Sequence, residues 1–267
     1  IIKWLPKFKG FDQIVVHLYP MTIFGLLAKQ IYGVQYVFWF HGLEDPYLFS
    51  RLHERLYVRA QITMTKLTLC NVDQAVSVSF FAKKILWEYM RVDSVVKCNE
   101  VNGKLFHEGI SGARVRERYN LNDCPTILSI GRLVPQKKYE LLIMSYHLVK
   151  KAIPDAKLII IGKPTFREYY KELRNLSDNS IIFIDYILNE NLPEYYAACD
   201  IYATCSYWEN HNFPVLEAKM CGKPIIAFDF DFFTGELGDN DILVERGSVE
   251  KFAQACILKL RDVGRVS

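Results

Sequence analysis

Two short segments gather residue types that can handle an anionic, hydroxyl-rich ligand. In Gly131-Arg132-Leu133-Val134-Pro135-Gln136-Lys137, the apolar run Thr126 to Ile130 ends in a loop with two cations, and a helical pattern follows. A loop in that position exposes backbone amides. Arg adds a planar fork and Lys a point charge, a combination that suits a diphosphate. A solvated basic loop is the plain alternative, because neither G-x-G-x-x-G nor the P-loop pattern is present. In the second segment, Glu209-Asn210-His211-Asn212-Phe213-Pro214-Val215-Leu216-Glu217-Ala218, Glu209 follows an apolar run and Pro214 suits the first turn of a helix. Glu217 then falls about one turn inside that helix. Carboxylates beside a nucleotide at such an end make sense if they accept bonds from sugar hydroxyls while amides and cations take the phosphate. The plain alternative is a pair of acidic residues complementing the helix dipole.

The elements that must position these segments alternate along the chain. Strand-like runs at 14–17, 35–40, 74–78 and 94–98 are separated by helical patterns at 21–32, about 47–69 and 80–90. A charged helix at 113–119 and the turn-rich Asn122-Asp123 with Pro125 lead into a second alternation. There the pattern predicts strands at 126–130, 157–161, 181–184, 201–204 and 224–228, and helices at 139–151, 167–175, 192–198, about 214–221 and 249–260. This is an α/β fold of two doubly wound, Rossmann-like domains, 1–110 and 111–267, facing a cleft. Such sheets bind ligands beyond the carboxyl ends of their strands, which singles out the loops after Ile130, Ile161, Thr204 and Phe228.

Composition narrows the function classes. The 267 residues are 51% hydrophobic and 24% charged, which excludes disordered, collagen-like and coiled-coil chains. Runs such as Val34 to Phe40 fall short of the ~20 apolar residues a spanning helix needs. Seven cysteines without a C-x-x-C pair suit a reducing compartment, and the cytosol is expected. Residues 1–107 carry a formal charge of +5 and residues 108–267 a charge of −2. With Trp4, Phe8, Trp39, Phe40 and Phe49, the basic front part fits an anionic membrane surface, or simply a solvated basic shell over an aromatic core. The aromatic and basic pattern of an RNA-binding motif is missing, so no nucleic-acid partner is expected. Asp229-Phe230-Asp231 has the form of a D-x-D metal signature but follows a late strand, and His17, His53, His107, His147 and His211 lack metal-ligand spacing. No metal is expected.

Taken in order, these residues resemble the retaining glycosyltransferases of family four, which have the GT-B fold. Phe11-Asp12 through His17 resembles the family's "fDvvH" strand, His41-Gly42 its strand-end "HG", and Asn102-Gly103 its inter-domain "NG". Gly131-Arg132-Leu133 with Lys137 resembles its G-R-L-x-x-x-K, and Asp200 to Ser206 its "aD-x-x-x-x-x-S" strand. Glu209 and Glu217-Ala218 resemble its paired glutamates, and Cys221-Gly222-Lys223-Pro224 its "cGkP".

The resemblance implies that Arg132 and Lys137 grip the diphosphate of a UDP-, GDP- or ADP-sugar and that Glu217 accepts bonds from the ribose hydroxyls. It also implies that Glu209 and His41 face the transferred hexose, with Asn210, His211, Asn212 and Phe213 bordering the donor, and that the acceptor is a glycan or lipid-linked. Asn210-His211-Asn212 replaces the family's Gly-Phe-Gly, and Asp229 to Asn240 is acidic and aromatic where the family has small residues. The family's opening strands and its final crossing helix have no counterpart here, so both ends read as clipped. A non-catalytic nucleotide-sugar-binding subunit and a nucleotide-sugar epimerase of the same fold are the rival readings.

Overall fold

Short apolar runs separated by amphipathic helices favour parallel neighbours, because each helix carries the chain back across the sheet before the next strand begins. The computed structural model describes residues 3–43, 52–233 and 237–262. Its chain separates into two units, Ile1–Glu100 and Val101–Ser267.

In the first unit, β1 (Gln13–Val16), β2 (Gln35–Phe40), β3 (Gln74–Ser77) and β4 (Val95–Val96) pair in parallel in the order β1-β2-β3-β4. They are joined by α1 (Met21–Tyr32), α2 (Leu52–Thr68) and α3 (Phe80–Met90). α1 stops where Gly33 turns left-handed at φ 71°, and α3 starts where the Ser79 hydroxyl accepts from the Ala82 amide at 3.0 Å. The ring of Tyr36 rests against α1 at Gly25, where a Cβ would come within 2.3 Å of it. The helix expected from about 47 is seen from Leu52, and 47–51 lie outside the described residues. The strand expected at 94–98 shrinks to Val95–Val96, since only these two pair with β3.

The second unit opens with α4 (Ala113–Arg118) and builds a sheet from β5 (Thr126–Ile130), β6 (Lys157–Ile161), β7 (Ile181–Ile184), β8 (Ile201–Thr204), β9 (Ile225–Phe228) and β10 (Ile242–Val244). α5 (Tyr139–Ala152), α6 (Arg167–Leu176), α7 (Leu192–Ala198), α8 (Phe213–Met220) and α9 (Val249–Asp262) surround it. The strand order is β10-β9-β8-β5-β6-β7, all parallel. β5, β6, β8 and β9 are buried almost throughout, as continuous apolar runs covered on both faces must be. The strand at 242–244 is not expected from the sequence, because three residues beyond an acidic segment leave no periodicity to read.

Residues 101–112 pack on this unit, ten residues ahead of the boundary expected near 110. Phe106 meets Tyr196 edge-on at 5.9 Å, and a Cβ on Gly112 would lie 2.3 Å from the Ala198 amide nitrogen. The Arg116 guanidinium then locks the start of the sheet, donating to the carbonyls of Ala198, Asn122 and Cys124, while Asp200 accepts from the Thr126 amide at 2.8 Å. Of the cysteines, Cys70 and Cys98 are exposed, and Cys199, Cys205, Cys221 and Cys256 are buried.

Candidate active site

In the second unit the chain first builds outward from β5 through β6 to β7, then returns to place β8 on the other side of β5. The loops after β5 and β8 therefore leave the sheet in opposite directions, and a crevice opens where they part. These are the loops that begin with Gly131 and end with Asn212.

The first loop is fastened to its neighbour after β6. The Gly131 amide donates to the Ile161 carbonyl at 2.9 Å and the Leu133 amide to the Lys163 carbonyl at 3.1 Å. Gly162 is required there, because an added Cβ would sit 1.8 Å from the Gly131 carbonyl oxygen. From below, the Tyr139 hydroxyl donates to that same oxygen at 3.0 Å, and the Tyr202 hydroxyl donates to the Ile130 carbonyl at 3.2 Å. Burial pushes both phenols well above their ordinary range, so each stays a hydroxyl donor at neutral pH. A turn at Pro135–Lys137, closed by Lys138 at φ 52°, then leads into α5.

The two predicted segments meet. The Tyr207 amide donates to the Gln136 carbonyl at 2.9 Å, and the Lys137 ammonium pairs with the Glu209 carboxylate. With side chains only 18% and 11% exposed, this pair is far better shielded than a surface ion pair. Asn212 holds the same Glu209 oxygen, its Nδ2 donating to Oε1 at 3.1 Å, while its own Oδ1 accepts from the Val215 amide and caps α8. None of Asn210, His211 and Asn212 takes a left-handed backbone, so the loop closes without the glycines the family uses there. His211 packs edge-on against the exposed Phe213 at 4.7 Å.

One turn into α8, Glu217 accepts a hydrogen bond from the Tyr196 hydroxyl at 2.7 Å. Burial raises the Glu217 carboxyl above its ordinary range, and the Tyr196 bond works against that rise. Tyr196 is itself fully buried between Phe106 and Tyr202. The Arg132 side chain is exposed and makes no hydrogen bond or ion pair among the described residues, while its carbonyl accepts from the Val134 amide at 2.9 Å.

His41 belongs to the first unit, just past β2. Its Nε2 lies 2.8 Å from Nδ1 of His17, which follows β1. Burial, and then the charge of His17, lower its pKa. Beside the pair is a cavity of about 260 Å³ floored by Phe38 and Phe40 and edged by Gln61 and Thr65. Among the described residues, no group of three or more His, Cys, Asp or Glu side chains is placed to hold a metal ion. Asp231 instead faces Arg246 at 3.7 Å, and that guanidinium lies over Phe230 at 4.3 Å.

Tyr196, Tyr139, Gly162 and His17 were not singled out as site residues by their sequence setting. Two of them carry a signal: Gly162 is a glycine directly after a predicted strand, and His17 ends the strand that resembles the family's "fDvvH".

Known proteins resemble this chain in sequence and in fold. Over 126 residues it is 32% identical to the GDP-mannose-dependent alpha-(1-6)-phosphatidylinositol monomannoside mannosyltransferase of Mycolicibacterium smegmatis, an alignment covering 43% of this chain and 32% of that protein. An uncharacterized glycosyltransferase of Haemophilus influenzae is 26% identical across 98% of this chain and 70% of its own length. The crystal structure of Anabaena HepE in complex with UDP and glucose superposes with a TM-score of 0.83 at 19% identity, covering 99% of this chain and 72% of that one. Sucrose-phosphate synthase from Thermosynechococcus elongatus follows at a TM-score of 0.76 and 23% identity, over 96% and 66% of the two chains. At such identities the structures speak to the fold, which is GT-B with Rossmann-like α/β domains. The family described as glycosyl transferases group 1 matches residues 113–263, more than half of the chain and all of the crevice just described, and the chain belongs to that family.

Proposed function

We propose that the chain is a retaining, metal-independent glycosyltransferase that moves a hexose from a nucleoside diphosphate sugar to a glycan or lipid-linked acceptor. The observation that carries this reading is the shielded Lys137–Glu209 pair at the strand-order reversal, with Glu217 held one turn into α8. Cation and carboxylate thus sit on two loops that are hydrogen-bonded together, and the ribose-type acceptor on the helix that the second loop enters.

In this reading Arg132 and Lys137 hold the diphosphate and take up the charge that develops on it as the glycosidic bond breaks. Glu217 accepts bonds from the ribose hydroxyls, and Tyr196 fixes the direction of its carboxylate. Glu209 orients the hexose, and residues Asn210 to Phe213 border the donor. The acceptor oxygen bonds to the anomeric carbon on the face from which the phosphate departs. The electron pair of the broken bond goes to the phosphate oxygen, and the acceptor proton goes to the same phosphate. No side-chain base is then needed, and the protein contributes fixed charges and orientation. The mycobacterial relative uses GDP-mannose and the Anabaena structure holds UDP and glucose; both favour a hexose donor, and the first favours a lipid-linked acceptor.

A thermal-shift and calorimetric screen against UDP-, GDP- and ADP-sugars, with Glu217→Ala alongside, tests the reading. Selective stabilisation by one donor, lost in the variant, is the expected result. Failure of the folded chain to bind any of them would overturn it.

A further inference from the structure

The loop after β5 keeps the alternation of a strand for a few residues beyond it. The Gly131 and Leu133 amides both donate toward the loop after β6, to the carbonyls of Ile161 and Lys163. Arg132, between them, turns its main chain the other way, as alternate residues of an extended chain do. Its amide donates to no group among the described residues. Because β6 and β8 flank β5 on opposite sides, an N–H directed away from the β6 loop is directed toward the crevice.

One side chain fixes that direction. The Gly131 carbonyl shares a peptide plane with the Arg132 amide, and in a trans peptide the two point opposite ways. The Tyr139 hydroxyl donates to this carbonyl at 3.0 Å from a residue only 2% exposed, and Gly162 closes in on the same oxygen. With the oxygen held, the peptide cannot swing and the N–H stays on the crevice side. Lys137 reaches the same place, since a Cβ on Gly131 would lie 3.6 Å from its Cε and 3.9 Å from its Nζ. A main-chain N–H beside an ammonium suits phosphate oxygens. The Tyr139 ring alone would fill the core beneath β5; the hydroxyl adds the hold on the loop. We propose that the Arg132 main-chain N–H is a further donor to the diphosphate and that Tyr139 is the positioning residue that aims it. The inference rests on the proposed function for the nucleotide that carries this diphosphate.

Amide NMR and calorimetry test it. Glycine labelled with 13C at the carbonyl and arginine labelled with 15N select the Gly-Arg peptides of the sequence, 131–132 and 264–265, and Arg265→Lys leaves only the first. The probes are inorganic pyrophosphate, GDP and UDP, with guanosine and uridine as phosphate-free counterparts. The Arg132 amide proton should move downfield with each diphosphate that binds and stay in place with the nucleosides. Tyr139→Phe should weaken GDP or UDP binding about three- to tenfold, leave nucleoside affinity unchanged and shrink the amide shift. Tyr169→Phe is the control, because its hydroxyl bonds to the Tyr139 amide and not to the loop. It should lower the melting temperature and leave the phosphate-dependent part of the affinity as in the wild type. An Arg132 amide that a bound diphosphate does not move overturns the proposal, whatever the variants do. So does an equal loss of nucleoside and nucleotide affinity in Tyr139→Phe, or a matching phosphate-specific loss in Tyr169→Phe. Pyrophosphate binding with the expected shift but no nucleotide binding would keep this inference and remove the proposed function. Nucleotide binding with an unmoved amide would do the reverse, and no binding of any probe would remove both.

Discussion

In the second unit the strand order turns back between β5 and β8, whereas the described strands of the first unit run in sequence order from one edge to the other. The reversal leaves a crevice, and the second unit surrounds it with fixed polar geometry: tyrosine hydroxyls under two carbonyls, a capped helix and a shielded ion pair. Among the described residues the first unit carries most of the exposed large apolar side chains despite being the smaller unit. Two sheets of similar local sequence pattern therefore serve different ends, one holding small polar groups in place and the other offering surface.

That contrast can be broken at several points. Gly162→Ala strikes the second unit hardest, because the new Cβ would meet the Gly131 carbonyl oxygen at 1.8 Å and no flexible side chain can yield. A loss of about 3 kcal/mol or more is expected, seen as a large fall in that unit's melting temperature; an unchanged melt would show that the two loops are not held together as described. Next in size, Lys137→Ala leaves the largely buried Glu209 side chain without its cation. Steady-state kinetics should show transfer falling about 10- to 100-fold, and a near-wild-type rate would remove Lys137 from the reaction.

Tyr196→Phe keeps the ring packing and deletes only the bond to Glu217, so donor affinity should fall about three- to tenfold. The same change sharpens a pH effect. In the proposed reading the donor binds the Glu217 carboxylate, which burial already makes easier to protonate, so affinity should fade as pH falls through its raised pKa. Without the Tyr196 bond that fading should begin at higher pH, as calorimetry across a pH series would reveal. Linkage gives the companion result for stability. The native state holds this proton more tightly than the unfolded chain, so Glu217 costs stability as pH rises through its raised pKa. Glu217→Gln should therefore raise the melting temperature at neutral pH and leave it unchanged in acid. The smallest effect belongs to the first unit. His17→Ala removes one exposed hydrogen bond, costing about 0.5 kcal/mol, and should move the His41 titration upward in an NMR series.

Much of this architecture is readable from residue order. The strands at 35–40, 126–130, 157–161, 181–184 and 201–204 have the bounds their apolar runs predict, since each run is bracketed by turn residues. Short elements escape the reading: β10 offers three residues of pattern, and β4 pairs through two. At the candidate site, residue types show which side chains could handle phosphate and sugar. They do not show that Lys137 and Glu209, 72 positions apart, meet each other. Tyr196 is equally silent, because a tyrosine in an amphipathic helix reads as core until α7 is set beside α8.

The placement of the thiols turns the two units into separate clocks. Cys70 and Cys98 are open to solvent, whereas Cys199, Cys205, Cys221 and Cys256 are enclosed and burial pushes each of these four thiols up, Cys221 to about 11 and Cys199 to about 12. An alkylating reagent at neutral pH will consume the first pair at once, the half-buried Cys124 more slowly, and the enclosed four only when the second unit opens. The lag between the two waves of labelling measures how seldom the crevice comes apart.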